Sequence, residues 1–324
     1  MKEDSFESVD PQPRSRHNRS IKLTEDDRHR LRSRLLSFAD KKSEPPIGTI
    51  CGNCLVWVDR LPAKFVDLLI LDPPYNLTKD FNQLRFSKRT VEEYTGWLEG
   101  AIAALKPLLK TTASVYICGD WFSSGSIFAA AANHFIVRNR ITWEREKGRG
   151  AKANWKNASE DIWFCTVSDD YTFNVDAVKL RRKVLAPYRQ EGVPKDWQST
   201  KQGNFRDTHP SNFWTDITIP FWSMPENTSH PTQKSEKAIA KLILASSNPG
   251  DFVFDPFVGS GTSSVVAKKL GRHYLGIDQD EEFCLLAERR LELAETSTAI
   301  QGFVDGVFWE RNTLAYQKGR REEG

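Results

Sequence analysis

Two short apolar runs in this chain are each followed by a segment of distinctive chemistry. The run VDLLIL at 66–71 precedes Asp72-Pro73-Pro74-Tyr75, and the run FVF at 252–254 precedes DPFVGSGT at 255–262. Runs of this length that end in turn-forming residues are typical of buried strands. Ligands of open α/β sheets bind at the carboxyl ends of the strands. The two runs therefore predict an α/β fold in which a polar tetrad and a glycine loop lie at the ligand-binding edge.

The tetrad at 72–75 has the chemistry to hold a planar amine. The Asp72 carboxylate and a backbone carbonyl near Pro73 can each accept one hydrogen from the exocyclic amine of a base, which frees the nitrogen lone pair and stabilises the developing positive charge. Pro73 and Pro74 fix φ and offer no competing N–H, and Tyr75 can stack on the base for about 1–3 kcal/mol. The alternative is an ordinary turn at a strand end, since short motifs recur by chance.

The glycine loop begins a βαβ pattern. Gly259 and Gly261 allow backbone to approach a nucleotide-like ligand closely, residues 262–270 read as a helix, and 272–278 read as a strand that ends in Asp278. A carboxylate there can accept hydrogen bonds from ribose hydroxyls, or it can cap the helix that begins near Glu281. The third glycine of a dinucleotide fingerprint is missing, so the two motifs together favour methyl transfer onto the amino group of a base.

At this point the sequence resembles the DNA amino-methyltransferases that use S-adenosylmethionine, in the permuted order called the β class. The resemblance covers roughly residues 48–295 and rests on motifs in the family order. These motifs are Gly52-Asn53-Cys54-Leu55, Asp72-Pro73-Pro74-Tyr75-Asn76, the segment NWKNASEDIWF at 154–164, His230-Pro231-Thr232-Gln233-Lys234 and the glycine loop at 255–262.

This resemblance implies a doubly wound, mostly parallel Rossmann-like methyltransferase sheet with an inserted target-recognition region. It implies S-adenosyl-L-methionine as cofactor, Asp72, Pro73, Pro74 and Tyr75 as catalytic residues, and Trp155 as a second aromatic that stacks with Tyr75 on the target base. The cofactor-binding residues that it implies are Asn53, Cys54, Asp72, His230, Thr232, Lys234, Asp255, Phe257, Gly259, Ser260, Gly261, Thr262 and Asp278.

Three positions qualify the resemblance. Asn53 replaces the acid that usually follows the upstream glycine, and Ser235 replaces the proline that commonly follows Lys234. Asp72 favours adenine N6, because relatives that act on cytosine N4 more often carry serine there. The prediction is a site-specific DNA adenine-N6 methyltransferase of a restriction-modification system that flips its target base out of the duplex. The alternatives are a cytosine-N4 methyltransferase, an RNA or protein amino-methyltransferase, and a catalytically silent DNA-binding protein.

Composition is that of a soluble protein. Of 324 residues, 39% are hydrophobic and 27% are charged, and no run approaches the length needed to span a bilayer. The charged start is unlike a signal peptide, and five scattered cysteines fit a reducing compartment. We therefore expect a cytoplasmic protein without a membrane segment. Cys51 and Cys54 have CxxC spacing but no second pair accompanies them, so no metal is expected.

Basic residues cluster in two stretches although the net charge is only +3. Residues 138–156 carry seven basic and two acidic side chains, and residues 179–206 carry eight and two, with aromatics interleaved. Such stretches can neutralise phosphates and stack on bases, or they can form a solvated face whose aromatics lie in the core. The predicted DNA-binding residues are Arg145, Lys147, Arg149, Lys152, Arg181, Arg182, Arg189, Lys195, Lys201 and Arg206.

The chain divides into five predicted regions. They are a charged arm at 1–45 with a possible helix from Thr24 to about Phe38, a catalytic half at 46–170, a target-recognition region at 171–227, a cofactor half at 228–296 and a tail at 297–324. Apolar residues at 303–309 indicate that the tail docks on the protein. The predicted partners are double-stranded DNA and a cognate restriction endonuclease, and the sequence leaves open a monomer or a homodimer.

Overall fold

The computed structural model describes residues 18–81, 84–145, 153–184, 189–200, 203–311 and 313. Lys147, Arg149, Lys152 and Lys201, all predicted to bind DNA, lie outside the described residues. Within the described chain, the α-helices are α1 (Glu25–Arg32), α2 (Cys54–Trp57), α3 (Val91–Leu105), α4 (Ser124–Ala132), α5 (Glu236–Ser246), α6 (Thr262–Lys269) and α7 (Glu281–Thr296).

The strands of the described chain form one large sheet and three smaller ones. The first seven strands are β1 (Gly48–Cys51), β2 (Val66–Leu71), β3 (Lys79–Phe81), β4 (Leu84–Phe86), β5 (Leu109–Gly119), β6 (Ile136–Glu144) and β7 (Ser159–Thr166). The others are β8 (Leu180–Lys183), β9 (Arg189–Gln190), β10 (Val193–Pro194), β11 (Gln198–Thr200), β12 (Gly203–Thr208), β13 (Phe213–Trp214), β14 (Phe252–Asp255), β15 (His273–Asp278), β16 (Phe303–Val304) and β17 (Val307–Trp309).

The large sheet is mostly parallel, as predicted. Its order is β1-β15-β14-β2-β5-β7-β6-β13, and β7 runs against its neighbours while the other strands share one direction. Strand β2 is buried on both faces, with Leu69 and Leu71 in one apolar core and Leu68 and Ile70 in the other. This explains its continuous apolar run, because a strand covered on both sides has no solvent face.

Helices cover both faces of the large sheet, which makes the fold doubly wound. Tyr94, Leu98 and Ile102 of α3 pack in the core that contains Leu69, and α5 packs in the core that contains Leu68. Helix α3 begins at a capping box in which Thr90 and Glu93 satisfy each other's backbone N–H groups. This arrangement leaves the carboxyl edge of the parallel strands uncovered by the helices of either layer.

Strands β2 and β14 are neighbours in the large sheet, and the chain leaves them in opposite directions. The next parallel strand beside β2 is β5, whereas the next beside β14 is β15. A point where the strand order reverses in this way opens a crevice at the carboxyl edge. The tetrad that follows β2 and the glycine loop that follows β14 therefore face the same crevice.

The predicted target-recognition region contributes to a separate five-stranded sheet of order β11-β12-β8-β17-β16. Strands β17 and β16 come from the tail, and β17 pairs in parallel with β8. Docking of the tail, predicted from its apolar residues, thus occurs by strand addition beside residues 180–183. In contrast, β13 joins the edge of the large sheet, so the end of the 171–227 region packs with the main domain.

The N-terminal arm contains the predicted helix but ends it earlier. Thr24 and Asp27 form a capping box at the start of α1, and the helix ends at Arg32 rather than near Phe38. Its arginines pair with α7, for example Arg28 with Glu282 at 2.9 Å. Because this pairing fixes α1 to the cofactor half, the arm is part of the folded domain from α1 onward. In the described part of the chain, no helix is both long and apolar enough to cross a membrane.

Candidate active site

A cleft of about 290 Å³ opens where β2 and β14 end. It brings together the tetrad, the glycine loop, the 230–234 segment and the end of β15. The predicted site residues that line it are Cys54, Asp72, Pro73, Pro74, Tyr75, His230, Thr232, Lys234, Phe257, Gly259 and Asp278. Residues from five separate segments of the chain, predicted individually, therefore surround one volume.

The Asp72 carboxylate is the centre of a hydrogen-bond network in this cleft. The Lys234 Nζ donates to both carboxylate oxygens at 2.8 and 2.7 Å, and the Tyr75 hydroxyl donates to one of them at 3.1 Å. The Nζ also donates to the Tyr75 hydroxyl at 3.0 Å. Asp72 thus already accepts hydrogen bonds from an ammonium group, which is the kind of donor that an amine substrate would offer.

Two more charged residues extend this network away from the cleft. Glu160, at the start of β7, lies 3.6 Å from the Lys234 Nζ and is 2% exposed. Its Oε1 pairs with Arg145, while its buried Oε2 has no hydrogen-bond partner in the described residues. Burial lowers the pKa of Arg145, and the nearby Tyr75 and Asp72 act on it in the opposite direction. Sequence reasoning missed Glu160 as a site residue and placed Arg145 with the DNA-binding surface.

The conformation of the tetrad is fixed by its neighbours. The Pro74 carbonyl accepts a hydrogen bond from the Tyr94 hydroxyl at 3.0 Å. The Asn76 backbone N–H donates to the Ser123 hydroxyl at 3.1 Å, and its side chain bonds the backbone of Arg89 in both directions. The loop that follows the tetrad is therefore anchored to α3 and to the loop after β5, which limits movement of Asp72 and Tyr75.

Gly259 lies where the glycine loop meets the cleft. Its φ is +52°, and a Cβ there would lie 2.8 Å from the His230 Nε2. Its N–H donates to the Asp278 carboxylate at 2.9 Å. This position needs glycine both for the left-handed backbone and for the close approach of the His230 ring.

Gly261 is needed for helix packing, and its predicted contact with the cofactor stays a prediction. A Cβ at this residue would lie 2.5 Å from the Cβ and 2.8 Å from the Cα of Ala287 on α7, and its φ is +83°. The added Cβ would point into the contact between α6 and α7, and Gly261 is not among the residues that line the cleft. Glycine is required here by helix packing, so a bulky residue at this position is expected to disturb the contact between α6 and α7.

Asp278 lies at the end of β15 on the cleft wall. Its carboxylate accepts from the N–H of Gly259 and of Asp280, and burial is the largest cause that raises its pKa. The helix that follows is capped by Asp280, whose side chain accepts from the Phe283 N–H, so the alternative that Asp278 caps α7 is wrong. A carboxylate has about four acceptor sites, which leaves Asp278 able to accept from a ligand hydroxyl as well.

Several predicted cofactor residues lie behind the cleft. The Asp255 carboxylate accepts from Ser263 at 2.6 Å and from the Phe257 N–H at 3.0 Å, and burial raises the pKa of Asp255 to about 7. The Ser260 carbonyl and the Thr262 hydroxyl accept from the buried Arg290 guanidinium. These residues hold the glycine loop in place from within.

Asn53 also supports the site from outside the cleft. Its side chain accepts from the Leu55 N–H and so caps the short helix α2. The neighbouring Cys54 does line the cleft, and burial raises the pKa of its thiol to about 12. The upstream motif therefore offers the cleft a neutral side chain from Cys54, whereas the Asn53 amide caps α2.

Sequence reasoning also missed part of the cleft wall. These lining residues are Gly52, Leu77, Phe86, Pro256, Gln279, Asp280 and Phe283. Gly52 and Pro256 lie inside recognised motifs and Leu77, Gln279 and Asp280 lie within two positions of one, so proximity was the signal that could have identified them. Phe86 and Phe283 come from other elements, where an apolar residue is read as core.

Trp155, the second predicted base-stacking residue, is 94% exposed. It lies in the connection between β6 and β7, which leaves the carboxyl edge of the sheet because β6 runs parallel to the strands that end at the cleft. A buried core position for Trp155 is therefore wrong. The structure does not bring Trp155 into contact with Tyr75, so its stacking role stays a prediction.

Replacing Trp155 with alanine is expected to weaken retention of an extrahelical base by about 1–3 kcal/mol, the energy of one lost stacking contact. The measurement is the fluorescence of 2-aminopurine at the target position, which rises when the base leaves the stack. Trp222 is 50% exposed and does not line the cleft, so Trp222→Ala is the matched control. An equal fluorescence rise in the wild type and Trp155→Ala would contradict the role.

The predicted DNA-binding residues that the structure describes differ in their surroundings. Arg145 is paired with Glu160 near the catalytic groups, and Arg181 forms two 2.7 Å hydrogen bonds with Asp207. Arg182 and Arg206 are 42% and 47% exposed and lie 3.8 Å from Glu310 and 3.3 Å from Asp196. Arg189 lies over the Trp197 ring at 5.2 Å, and Lys195 is exposed.

The aromatics between these basic residues mostly belong to the interior. Trp143, Trp197 and Phe205 are buried, as the alternative of a solvated face with core aromatics requires. Trp155 is the exposed exception among those that the structure describes. Contacts of the buried rings with DNA bases are therefore not supported, whereas the exposed arginines keep their predicted role.

Comparison with known proteins places the chain in a family. A family profile described as DNA methylase matches residues 66–289. The chain is 34% identical over 258 residues to DNA adenine methyltransferase YhdJ of Escherichia coli (strain K12), covering 77% of this chain and 84% of that protein. It is 33% identical over 250 residues to the type II methyltransferase M.HpaI of Haemophilus parainfluenzae, covering 75% and 73%. The chain therefore belongs to the DNA methylase family.

Solved structures agree on the fold. The PvuII DNA methyltransferase (cytosine-N4-specific) matches with a TM-score of 0.56 and 15% identity over 81% of this chain and 96% of that chain. A putative DNA modification methylase of Thermus thermophilus, complexed with S-adenosyl-L-methionine, matches with a TM-score of 0.51 and 18% identity over 82% and 99%. The predictions of a methyltransferase fold and of a DNA methyltransferase are confirmed.

Proposed function

We propose that this protein transfers the methyl group of S-adenosylmethionine to the N6 amine of an adenine that has been flipped out of double-stranded DNA. The observation that carries the proposal is the position of the Asp72 carboxylate where the strand order reverses between β2 and β14. This carboxylate accepts hydrogen bonds from Lys234 and Tyr75, and it lines the same cleft as Gly259 and Asp278. An amine acceptor and a ribose acceptor therefore line the same volume.

Adenine is favoured over cytosine by two independent points. Asp72 begins the tetrad, and the curated relatives include a protein named DNA adenine methyltransferase at 34% identity. The PvuII enzyme, named as cytosine-N4-specific, is 15% identical and therefore bears on the fold alone. The type II names of other relatives support a role in restriction-modification, with a cognate endonuclease as partner and the cytoplasm as location.

The cleft fits the cofactor by its chemistry. Asp278 can accept from ribose hydroxyls beside its two backbone donors, while Phe257, Phe283 and Phe86 offer apolar surface to an adenine ring. When bound, S-adenosylmethionine supplies a methyl carbon that its positively charged sulfur makes electrophilic. The glycine loop, held from behind by Arg290 and Ser263, sets the backbone of this wall.

The chain's own residues position and activate the amine. Asp72 accepts one amine hydrogen, and its negative charge stabilises the cationic nitrogen that forms before a proton is lost. Tyr75 offers its ring to the base and its hydroxyl to Asp72. Because Tyr94, Ser123 and Arg89 anchor the tetrad loop, little reorganisation is needed at the moment of transfer.

The five-stranded sheet supports a role in DNA contact through one of its faces. Arg182 and Arg206 lie directly opposite each other on β8 and β12, and like charges in this position destabilise a sheet. Glu310 and Asp196 lie beside these arginines, and a phosphate placed between the two guanidinium groups would bind both of them. Asn204 lies two residues from Arg206 on the same face, where its amide could reach a base edge.

Arg206→Ala is expected to weaken binding to all DNA sequences and to flatten its salt dependence by about one unit of slope, since one phosphate contact is lost. Asn204→Ala should instead relax preference at one base pair, by about 1–3 kcal/mol. Arg181→Ala is the matched control, because Arg181 is paired with Asp207 and its side chain lies on the opposite face of the five-stranded sheet from Arg182. Binding to cognate and single-substituted duplexes, titrated with salt, measures both effects. If neither variant changes binding, the contacts lie elsewhere.

The direct test of the proposed function is the identity of the methylated base. Purified protein, duplex DNA and cofactor with a tritiated methyl group are incubated, and the DNA is digested to nucleosides. Label in N6-methyldeoxyadenosine supports the proposal, label in N4-methyldeoxycytidine supports the second candidate, and label in neither overturns both. RNA and protein substrates in parallel reactions test the remaining alternatives.

A further inference from the structure

The ammonium of Lys234 occupies the place where an amine substrate would meet Asp72. Its Nζ lies 2.7–3.0 Å from three acceptors, the two Asp72 oxygens and the Tyr75 hydroxyl. An exocyclic amine that uses the Asp72 carboxylate would compete with these same hydrogen bonds. Lys234 is 8% exposed, so its charge cannot simply move into solvent.

A second acceptor for this ammonium lies next to the first. Glu160 Oε2 is 3.6 Å from the Lys234 Nζ, close enough for an ion pair but too long for a hydrogen bond. This oxygen is buried and has no hydrogen-bond partner in the described residues, a costly state for a charged group. The other Glu160 oxygen is held by Arg145, so the carboxylate cannot turn away.

We propose that Lys234 and Glu160 form a displaceable counter-ion for Asp72, in which the ammonium pairs with Asp72 in the empty enzyme and moves onto Glu160 Oε2 when the target amine enters. This inference rests on the proposed function and deepens it. Lys234 and Glu160 are positioning residues that act through Asp72. The ammonium keeps its proton throughout, and the shift exchanges one of its two hydrogen bonds to Asp72 for one to Glu160.

The charge balance of the cluster explains why such an exchange is possible. Asp72 and Glu160 are balanced by Lys234 and Arg145, so the move of the ammonium changes no net charge. It leaves Asp72 as a carboxylate with a vacant acceptor when the amine arrives. The other titratable groups that act on Asp72 or Lys234 are Tyr75, Tyr94, Cys118 and Asp255.

The test compares two variants that should move the acidic limb of the kcat/KM profile in opposite directions. Lys234→Met removes the cation that stabilises the charged form of the Asp72 carboxyl, so the limb moves up by about one pH unit. Glu160→Gln leaves two cations beside Asp72, so the limb moves down. Asp255, whose pKa burial raises to about 7, is left unchanged in all of these variants.

A second readout follows base capture without chemistry. With 2-aminopurine placed beside a target adenine, so that the probe loses a stacking neighbour and brightens when the adenine leaves the helix, Glu160→Gln should capture the adenine at least about tenfold more weakly, the scale of one charged hydrogen bond, because the ammonium has no second acceptor. Lys234→Met should capture it at least as well as the wild type at a pH above the limb. Lys234→Arg should keep the limb near the wild-type position.

Lys241 supplies the matched control, since it is a buried lysine paired with Asp216 at 2.7 Å outside the catalytic cluster. Lys241→Met should leave the acidic limb in place. The inference would be overturned if the acidic limb lay at the same pH in the wild type, Lys234→Met and Glu160→Gln. It would also be overturned if Lys241→Met shifted the limb as far as Lys234→Met does. If Lys234→Met does not fold, an unchanged limb and unchanged capture in Glu160→Gln overturn it. If the wild-type protein does not methylate adenine, it is the proposed function that is wrong.

Discussion

Asp72→Ala is expected to lower the rate of methyl transfer by about 10²–10⁴-fold while the protein stays folded and still binds S-adenosylmethionine. The reason is that the carboxylate is needed chiefly in the transition state, where positive charge develops on the amine. Asp72 follows β2 at the surface of the cleft and packs in neither apolar core, so the fold should tolerate its loss. Single-turnover transfer of labelled methyl groups measures the effect, and calorimetry measures cofactor affinity.

Asp72→Asn separates charge from hydrogen bonding in the same measurement. The amide keeps one acceptor oxygen but loses the negative charge, so its rate should lie between those of the wild type and Asp72→Ala. Near-normal turnover in Asp72→Ala would refute the assigned chemistry. Equal and large losses of cofactor affinity in both variants would instead assign Asp72 to cofactor binding.

The parts of the fold that sequence predicts well are those built from local signals. The βαβ unit from β14 through α6 to β15 follows from two apolar runs and the glycines between them, and both strand ends lie within a residue of the prediction. Helix α1 begins where its capping box predicts. Strand pairings set by distant segments are not readable in this way, as the addition of β17 beside β8 shows.

The site follows the same division. The tetrad and the glycine loop are short motifs whose chemistry is evident from their residue types, and both line the cleft. The Lys234–Asp72 contact joins residues 162 positions apart, and Glu160 enters only because β7 runs antiparallel beside β5. Contacts of this kind depend on the packing of the whole sheet, so no local pattern in the sequence could indicate them.

Gly261 shows that a motif can indicate the need for a residue without indicating every reason for it. The sequence motif indicates that glycine is needed, but only the structure shows that Ala287 of α7 fills the space that a Cβ at residue 261 would occupy. Gly259, two residues earlier, meets His230 at the cleft instead. The two glycines of one motif therefore predict different consequences of the same substitution.

Gly261→Ala is expected to lower the free energy of unfolding by about 2–5 kcal/mol, since a left-handed φ costs about 1–2 kcal/mol for a residue with a Cβ and overpacking costs about 1–3 kcal/mol. Chemical denaturation with the cofactor absent measures this loss. Gly259→Ala, with a φ of +52° and the His230 ring as neighbour, should cost less stability because an imidazole can shift more easily than a helix backbone. Its main effect should be weaker cofactor binding by calorimetry.

A double-mutant cycle with Ala287→Gly tests the cause. Removing the Ala287 Cβ takes away the 2.5 Å contact but leaves the Cα at 2.8 Å, so Gly261→Ala should be partly rescued, with a coupling energy of about 0.5–3 kcal/mol. Ala287→Gly alone should cost about 1 kcal/mol, as glycine does within a helix. Strict additivity of the two changes would mean that the α6–α7 contact does not require glycine at 261. A folded Gly261→Ala protein of normal stability that cannot bind cofactor would return this residue to the ligand-facing role that its motif first indicated.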